Sequence, residues 1–253
     1  MGKDKIVIIP VHNQLEYFKR ALGSVMKYSP DAVVIVVDDG STDKATREYL
    51  SANEGIYEFL YNETAQGFSA ACNKGIQYTL DNFDFNCLCL LNSDAEVATE
   101  NWFDKVEECF ISDEQIGIAG VVSDNAMAQT IKNIPLYLKD IDNKPTLYSY
   151  FIHGFCYFIS KKLIETIGLL DEKTFPHYGS EDSYSLDSIK HGFQNIIVGK
   201  VFVKHNNETS YSHAVRAKFV KTTLPTLQRK WGFSYVAKCV NQANNCGQYL
   251  NRT

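Results

Sequence analysis

The sequence predicts an α/β fold built on a doubly wound, mostly parallel sheet. Continuous β-branched runs such as "KIVIIPV" and "AVVIVVDDG" read as strands covered on both faces, the usual setting of parallel strands. These runs alternate with helix-period segments through residues 1–122, the order that places helices on the faces of a parallel sheet.

Each element has its own signal. After the strand "KIVIIPV", Leu15, Phe18, Leu22, Val25 and Met26 recur at helical spacing, and Pro30 stands just beyond the end. The strand "AVVIVVDDG" leads into the helix "TDKATREYLSAN", with a Thr or Ser as cap candidate, and then the short strand "YEFLY". "FSAACNKGIQYTL" is helical, "NCLCLL" a buried strand, "ENWFDKVEECF" a helix and "IGIAGVV" a strand. Residues 123–150, with Pro135 and Pro145, read as an irregular surface excursion. Beyond them come strand-like "SYFIHGFCYFIS", a short helix "KKLIETIG", a capped helix "SEDSYSLDSIKHG", the strand "NIIVGKVFVKH" and an amphipathic helix over 213–231. No repeat or low-complexity linker divides the chain.

At 253 residues and 45% apolar composition, one sizeable core is within reach. The 25 Lys and Arg against 30 Asp and Glu leave a net charge of −5, with no general positive surplus to follow a phosphate backbone, so nucleic acid is not expected as a partner. The seven cysteines are odd in number, form no C-x-x-C and sit largely in apolar runs, which suits reduced thiols in a cytoplasmic protein. No signal segment opens the sequence, and no run approaches the roughly 18–20 apolar residues of a membrane span. Ile6 stands where a myristoylation site needs Ser or Thr.

Chemistry gathers at strand ends. "PVHN" (10–13), "DDGS" (38–41) and "NSDAE" (92–96) each follow an apolar strand, and in an open parallel sheet the carboxyl ends of strands converge on the ligand edge. Singly, Asp38-Asp39-Gly40-Ser41 reads as a turn and Asn92-Ser93-Asp94 as an Asx turn; together at corresponding ends they read as a binding site.

Taken in order, these residues resemble the family 2 glycosyltransferases, inverting enzymes of the GT-A fold that use nucleotide-activated sugars. "IVIIPVHN", "VIVVDDGSTD", "QGFSAACNKGI", "LLNSDAEV", "GFCYFISKKLIETIGLLDE", "GSEDSYSL", "VFVKHNNETS" and "LQRKWG" are similar to successive family motifs, and their order makes the match specific. The resemblance implies one GT-A domain: a nucleotide-sugar-binding half (1–122), an acceptor-binding and catalytic half (123–212) and a C-terminal helical segment (213–253). It implies transfer of a sugar from a UDP- or dTDP-sugar to a hydroxyl of a saccharide, lipid-linked or protein acceptor.

Roles follow residue by residue. Pro10, Val11, His12, Asn13, Asp38 and Asp39 would surround the nucleoside, with Asp39 accepting from the base N3–H. Gly67, Asn73, Asn92 and Ser93 would flank the donor. Asp94 and His205 would hold a divalent Mn2+ or Mg2+, with Asn92 where the commonest motif has another Asp. Asp182, at the head of a helix, would be the base that takes the acceptor's proton. Glu181, His153 and Gly154 would meet the acceptor, and Tyr184 replaces a further acid that the family often has. Trp102 and Trp231 read as packing.

A nicotinamide enzyme is disfavoured, because the first strand-to-helix turn holds no G-x-G-x-x-G. A sugar nucleotidyltransferase would open with a glycine-rich basic loop, which is absent. The alternative is a catalytically inactive carbohydrate- or nucleotide-binding module of the same fold. Basic and apolar residues in 216–233 point to a packing helix first, and to peripheral membrane contact or a sister subunit second.

Overall fold

The computed structural model describes residues 3–206 and 213–252. The chain order is β1 (Ile6–Val11), α1 (Leu15–Tyr28), β2 (Val33–Asp39), α2 (Lys44–Ala52), β3 (Glu58–Asn62), α3 (Phe68–Asn82), β4 (Cys87–Leu91), β5 (Ala95–Val97), α4 (Trp102–Ser112) and β6 (Ile116–Val122). It continues through α5 (Ile134–Leu138), β7 (Thr146–Tyr148), β8 (Cys156–Ser160), α6 (Lys161–Ile167), α7 (Ser180–Lys190), β9 (Gln194–His205), α8 (His213–Trp231) and α9 (Phe233–Leu250).

The strands form one sheet in the order β3-β2-β1-β4-β8-β6-β9-β5, with β7 also on β9. β1 to β4 are parallel neighbours, β8 runs against both β4 and β6, and β9 is parallel to β6. β5 and β7 pair antiparallel to β9, so the sheet is mixed, with its parallel pairings concentrated among β1 to β4. The apolar runs alternate faces as a two-sided sheet requires. Val7, Ile9, Val36 and Cys89 pack with Phe18 of α1 and Trp102 of α4, whereas Ile6, Ile8, Val37 and Leu90 pack with Cys72 and Ile76 of α3. Trp102 is fully buried, edge-on to Phe158, as its packing role anticipates.

Four expectations change. The apolar stretch 149–160 is strand only from Cys156, because 149–155 leaves the sheet as a loop. The excursion 123–150 holds α5 and β7, and Thr146–Tyr148 pairs with Ile196–Val198. β5 was not visible in the sequence, and α9 follows the expected last helix after Gly232. Helix caps differ as well. Asp43, not Thr or Ser, accepts the Thr46 amide at the head of α2, and Gly179 precedes α7 in the left-handed region. Residues from 207 onward in "VFVKHNNETS" lie outside the described residues. Among those described, no helix is long and apolar enough to cross a membrane.

Candidate active site

The carboxyl ends of β1 and β2 lie side by side, Val11 opposite Asp38, and β3 continues the row with Asn62 opposite Asp39. Asp39 is buried, and its carboxylate accepts from Gln66 N (2.8 Å), Gly67 N (2.8 Å) and Asn62 Nδ2 (2.9 Å). It thus fastens the loop leading into α3 to the end of β2. Asp38 closes its own turn by accepting from Ser41 N at 2.9 Å. His12 Nδ1 meets Asp39 O at 2.8 Å.

Asn13 sits in the left-handed region that Asn tolerates. Its side-chain carbonyl accepts from Thr42 N and Asp43 N, and its own amide donates to Ser41 Oγ, so it bolts the first two turns together. Val11 packs into the core on the α1 side, and Pro10 is buried within β1. Each of the three is thus tied into the fold, Asn13 through its polar groups and Pro10 and Val11 through the strand. Asn73 is likewise tied into the fold. Its amide donates to Leu170 O and Glu172 Oε2 and accepts from Leu170 N, tying α3 to the 168–176 segment.

Gly67 carries φ of +102°, and a side chain there would run into Pro176 O and the His177 ring. His177 was missed in the sequence. It packs on Gly67 within the electrostatic reach of Asp39, and burial lowers its pKa, which favours a neutral imidazole. The available signal was its position in "PHYGSED", just upstream of the acidic pair.

β4 is followed by Asn92, whose backbone amide donates to Phe155 O at 2.9 Å and whose backbone carbonyl accepts from Ala95 N. Ser93 follows, part-exposed. The turn then enters β5, whose pairing of Ala95 with His205 sets Asp94 beside that histidine. Asp94 Oδ1 and His205 Nε2 are 3.5 Å apart, and both residues are buried. His205 Nδ1 donates to Asn125 O at 2.7 Å; because a carbonyl only accepts, this fixes the tautomer and turns Nε2 toward Asp94. Burial opposes charge on the ring, but Asp94, the Asn125 carbonyl and Asp124 together raise its pKa. Glu96 faces elsewhere, toward Arg20 and Asn206.

These donors suit a hard divalent cation. An imidazole nitrogen and a carboxylate oxygen face each other, and Asn92 Oδ1 is buried with no partner among the described residues. No group of three His, Cys, Asp or Glu gathers among the described residues, so a cation here would complete its shell from ligand oxygens.

The catalytic candidates approach this corner from α7. The ring of His153 lies 5.9 Å from that of His205, and Phe155 stacks on His205 at 5.1 Å. Between them, Gly154 lies against the Glu181 carboxylate so closely that a Cβ would collide with it. Ser180 Oγ donates to Glu181 Oε2, and Tyr157 OH donates to Glu181 O, pinning the first turn of α7 to β8. Asp182 follows at once. Although part of its surface reaches solvent, burial pushes its carboxyl up to about 7, and the neighbouring Glu181 adds to the rise. Burial likewise raises Glu181. The net rise overrides the preference of a helix amino end for negative charge. Tyr184, buried, donates to Gly168 O. Trp231 Nε1 donates to Ser183 Oγ at 3.1 Å, bracing α8 on α7. A chain of contacts thus runs from Asp94 and His205 through His153 and Gly154 to Glu181, and Asp182 follows Glu181 in α7.

The family described as "Glycosyl transferase family 2" matches residues 6–168. Over 94 residues the chain is 35% identical to glycosyltransferase GlyA of Streptococcus pneumoniae, covering 36% of this chain and 13% of that protein. Over 156 residues it is 26% identical to the low-salt glycan biosynthesis hexosyltransferase Agl10 of Haloferax volcanii, covering 56% of this chain and 49% of that one. The matches thus span less than half the length of these curated relatives. The fold resembles that of GalNAc-T7, solved with UDP, GalNAc and Mn2+ (TM-score 0.65, 17% identity, 89% of this chain and 48% of that one). It also resembles the mannosyltransferase PcManGT of Pyrobaculum calidifontis, solved with GDP-Man and Mn2+ (TM-score 0.64, 14% identity, 99% of this chain and 76% of that one). At these identities the likeness establishes the GT-A fold.

Proposed function

The chain belongs to glycosyl transferase family 2, and from that premise we propose that it transfers a sugar, with inversion, from a UDP- or dTDP-sugar to a hydroxyl acceptor, Asp182 serving as the base. The observation that carries this reading is a carboxyl pushed up to about 7 at the head of α7, next to Glu181, which packs on Gly154, the neighbour of the His153 ring that lies 5.9 Å from His205. A base works best when its pKa lies near the working pH, because it is then ionised yet still a good proton acceptor. Asp182 would take the proton of the attacking hydroxyl, and Glu181, fixed by Ser180 and Gly154, would hold a neighbouring hydroxyl. The nucleoside would rest against Asp39, Gly67 and His177, the 3.5 Å pair holding Mn2+ or Mg2+. Such a cation, when bound, neutralises the charge that gathers on the departing diphosphate.

Support for a cation-assisted donor site also comes from the neighbours: the two solved structures carry Mn2+ with UDP or GDP-Man. Calorimetric titration with UDP and dTDP, with and without Mn2+, tests the reading. Nucleotide binding strengthened by Mn2+ is expected, followed by transfer or slow hydrolysis of a matching sugar nucleotide. Indifference to both nucleotides and to the cation would defeat it. Nucleotide binding without turnover of any sugar nucleotide would instead favour the inactive binding module.

A further inference from the structure

From residue 213 to the end, the sequence holds seven Lys or Arg and no Asp or Glu, in a chain with 30 acids and a net charge of −5. The protein is therefore electrically polarised, its acids all lying in the part that precedes α8. Within α8, Lys221, Leu224, Pro225 and Arg229 recur at i, i+3, i+4 and i+8, which is one stripe of a helix, and all four are exposed. Leu224 is 47% exposed, and Phe233, directly after Gly232, is 69% exposed. Among the described residues, Lys230 is the one basic side chain of this segment paired with an acid, Asp171 at 2.8 Å. The opposite side of α8 faces the catalytic helix: Thr223 Oγ1 donates to Tyr178 O, Trp231 to Ser183, and Leu227 packs with Leu186 and Phe175.

We propose that the outward stripe of α8, continued by Phe233, docks peripherally on a bilayer bearing anionic headgroups. Cations draw the helix to a negative surface, and exposed aliphatic and aromatic side chains gain by entering the acyl boundary. A nucleic acid backbone would satisfy the charges but offers Leu224 nothing, since its affinity comes from phosphate contacts. A second copy of the same face would bring like charges together across a two-fold contact. Two cations and two apolar side chains make a reversible attachment that salt weakens. On the transferase reading, on which this one step rests, an acceptor carried in the bilayer would approach Asp182 from the α8 side.

Sedimentation of the full chain with vesicles tests the proposal, using phosphatidylcholine mixed with phosphatidylglycerol against phosphatidylcholine alone. Pelleting with the anionic vesicles only, weakened by added salt, is expected. The pair Lys221→Glu with Arg229→Glu should cut partitioning about tenfold or more, and Leu224→Ser with Phe233→Ser should also reduce it. Both variants should keep the wild-type melting temperature and UDP affinity. Equal pelleting with neutral vesicles, no pelleting, or charge-reversed protein that pellets like wild type would each overturn it. So would capture of short duplex DNA, or a dimer broken by the apolar variant, without vesicle binding. If vesicles bind while UDP does not, the docking face stands and the transferase reading falls.

Discussion

Asp182→Asn separates chemistry from stability. In the fold the carboxyl is pushed from 3.8 up to about 7, so its protonated form is favoured in the native state relative to the unfolded chain. The corresponding stability is fully present below pH 3.8 and is lost progressively as pH rises toward 7. At pH 8 the ionised group costs at most about 4 kcal/mol, which partial exposure trims to roughly 2–4 kcal/mol. Asparagine removes that cost while keeping shape. The variant should therefore melt several degrees above wild type at pH 8, at roughly 2–4 °C per kcal/mol for a chain of this size. Near pH 4 that gain should vanish. Transfer to an acceptor should fall about 10²- to 10⁴-fold with UDP affinity unchanged, and wild-type activity should rise with pH through about 7. Differential scanning fluorimetry across pH and a sugar-transfer assay read the two halves. An equal melting difference at both pH values would refute the buried-charge account, and undiminished transfer would refute the base.

Three further changes probe the rest of the cluster. Gly154→Ala places a methyl where the Glu181 carboxylate lies, so it should cost roughly 1–3 kcal/mol and raise the acceptor KM; unchanged denaturation and kinetics would contradict the packing. His205→Ala should remove the Mn2+-dependent part of UDP affinity, about tenfold or more, while metal-free UDP binding persists. Because the net shift of His205 is upward from 6.5, Mn2+-assisted binding by wild type should begin to weaken on acidification already above that value, as protonation occupies Nε2; calorimetry at several pH values shows the slope. Asp39→Asn turns an acceptor-only group into one that offers N–H groups to the Gln66 and Gly67 amides. A loss of about 1–3 kcal/mol in stability, with weaker nucleotide binding, should appear in urea melts and titrations.

What the sequence made legible follows from burial. β1, β2, β4 and β6 could be read because residues covered on both faces leave uninterrupted apolar runs. β5 and β7, three residues each, could not, because their identity comes from pairing with β9 rather than from local pattern. α9 hid behind Gly232 and a run of Asn and Gln, although Val236, Cys239, Ala243, Cys246 and Leu250 form a buried stripe at helical spacing. Loop 149–155 misled through its aromatic content: Phe155 is apolar because it stacks on His205, not because it belongs to a strand.

The same distinction explains the site. Motif positions revealed which polar residues cluster, but not which of them face inward. Asn13 and Asn73 each make internal ties that the motif positions do not reveal. Asp94 and His205 meet through the Ala95–His205 register of the shortest strand class in the fold, the feature that sequence reads least well. A short strand has few ladder bonds of its own, so its register rests on its surroundings. Asn206 supplies part of that support by donating twice to Asp94 O, which holds the end of β9 against the turn that carries Asp94. The geometry of the metal candidates is thus a property of tertiary pairing, whereas the placement of Glu181 and Asp182 is local, set by the first turn of one helix.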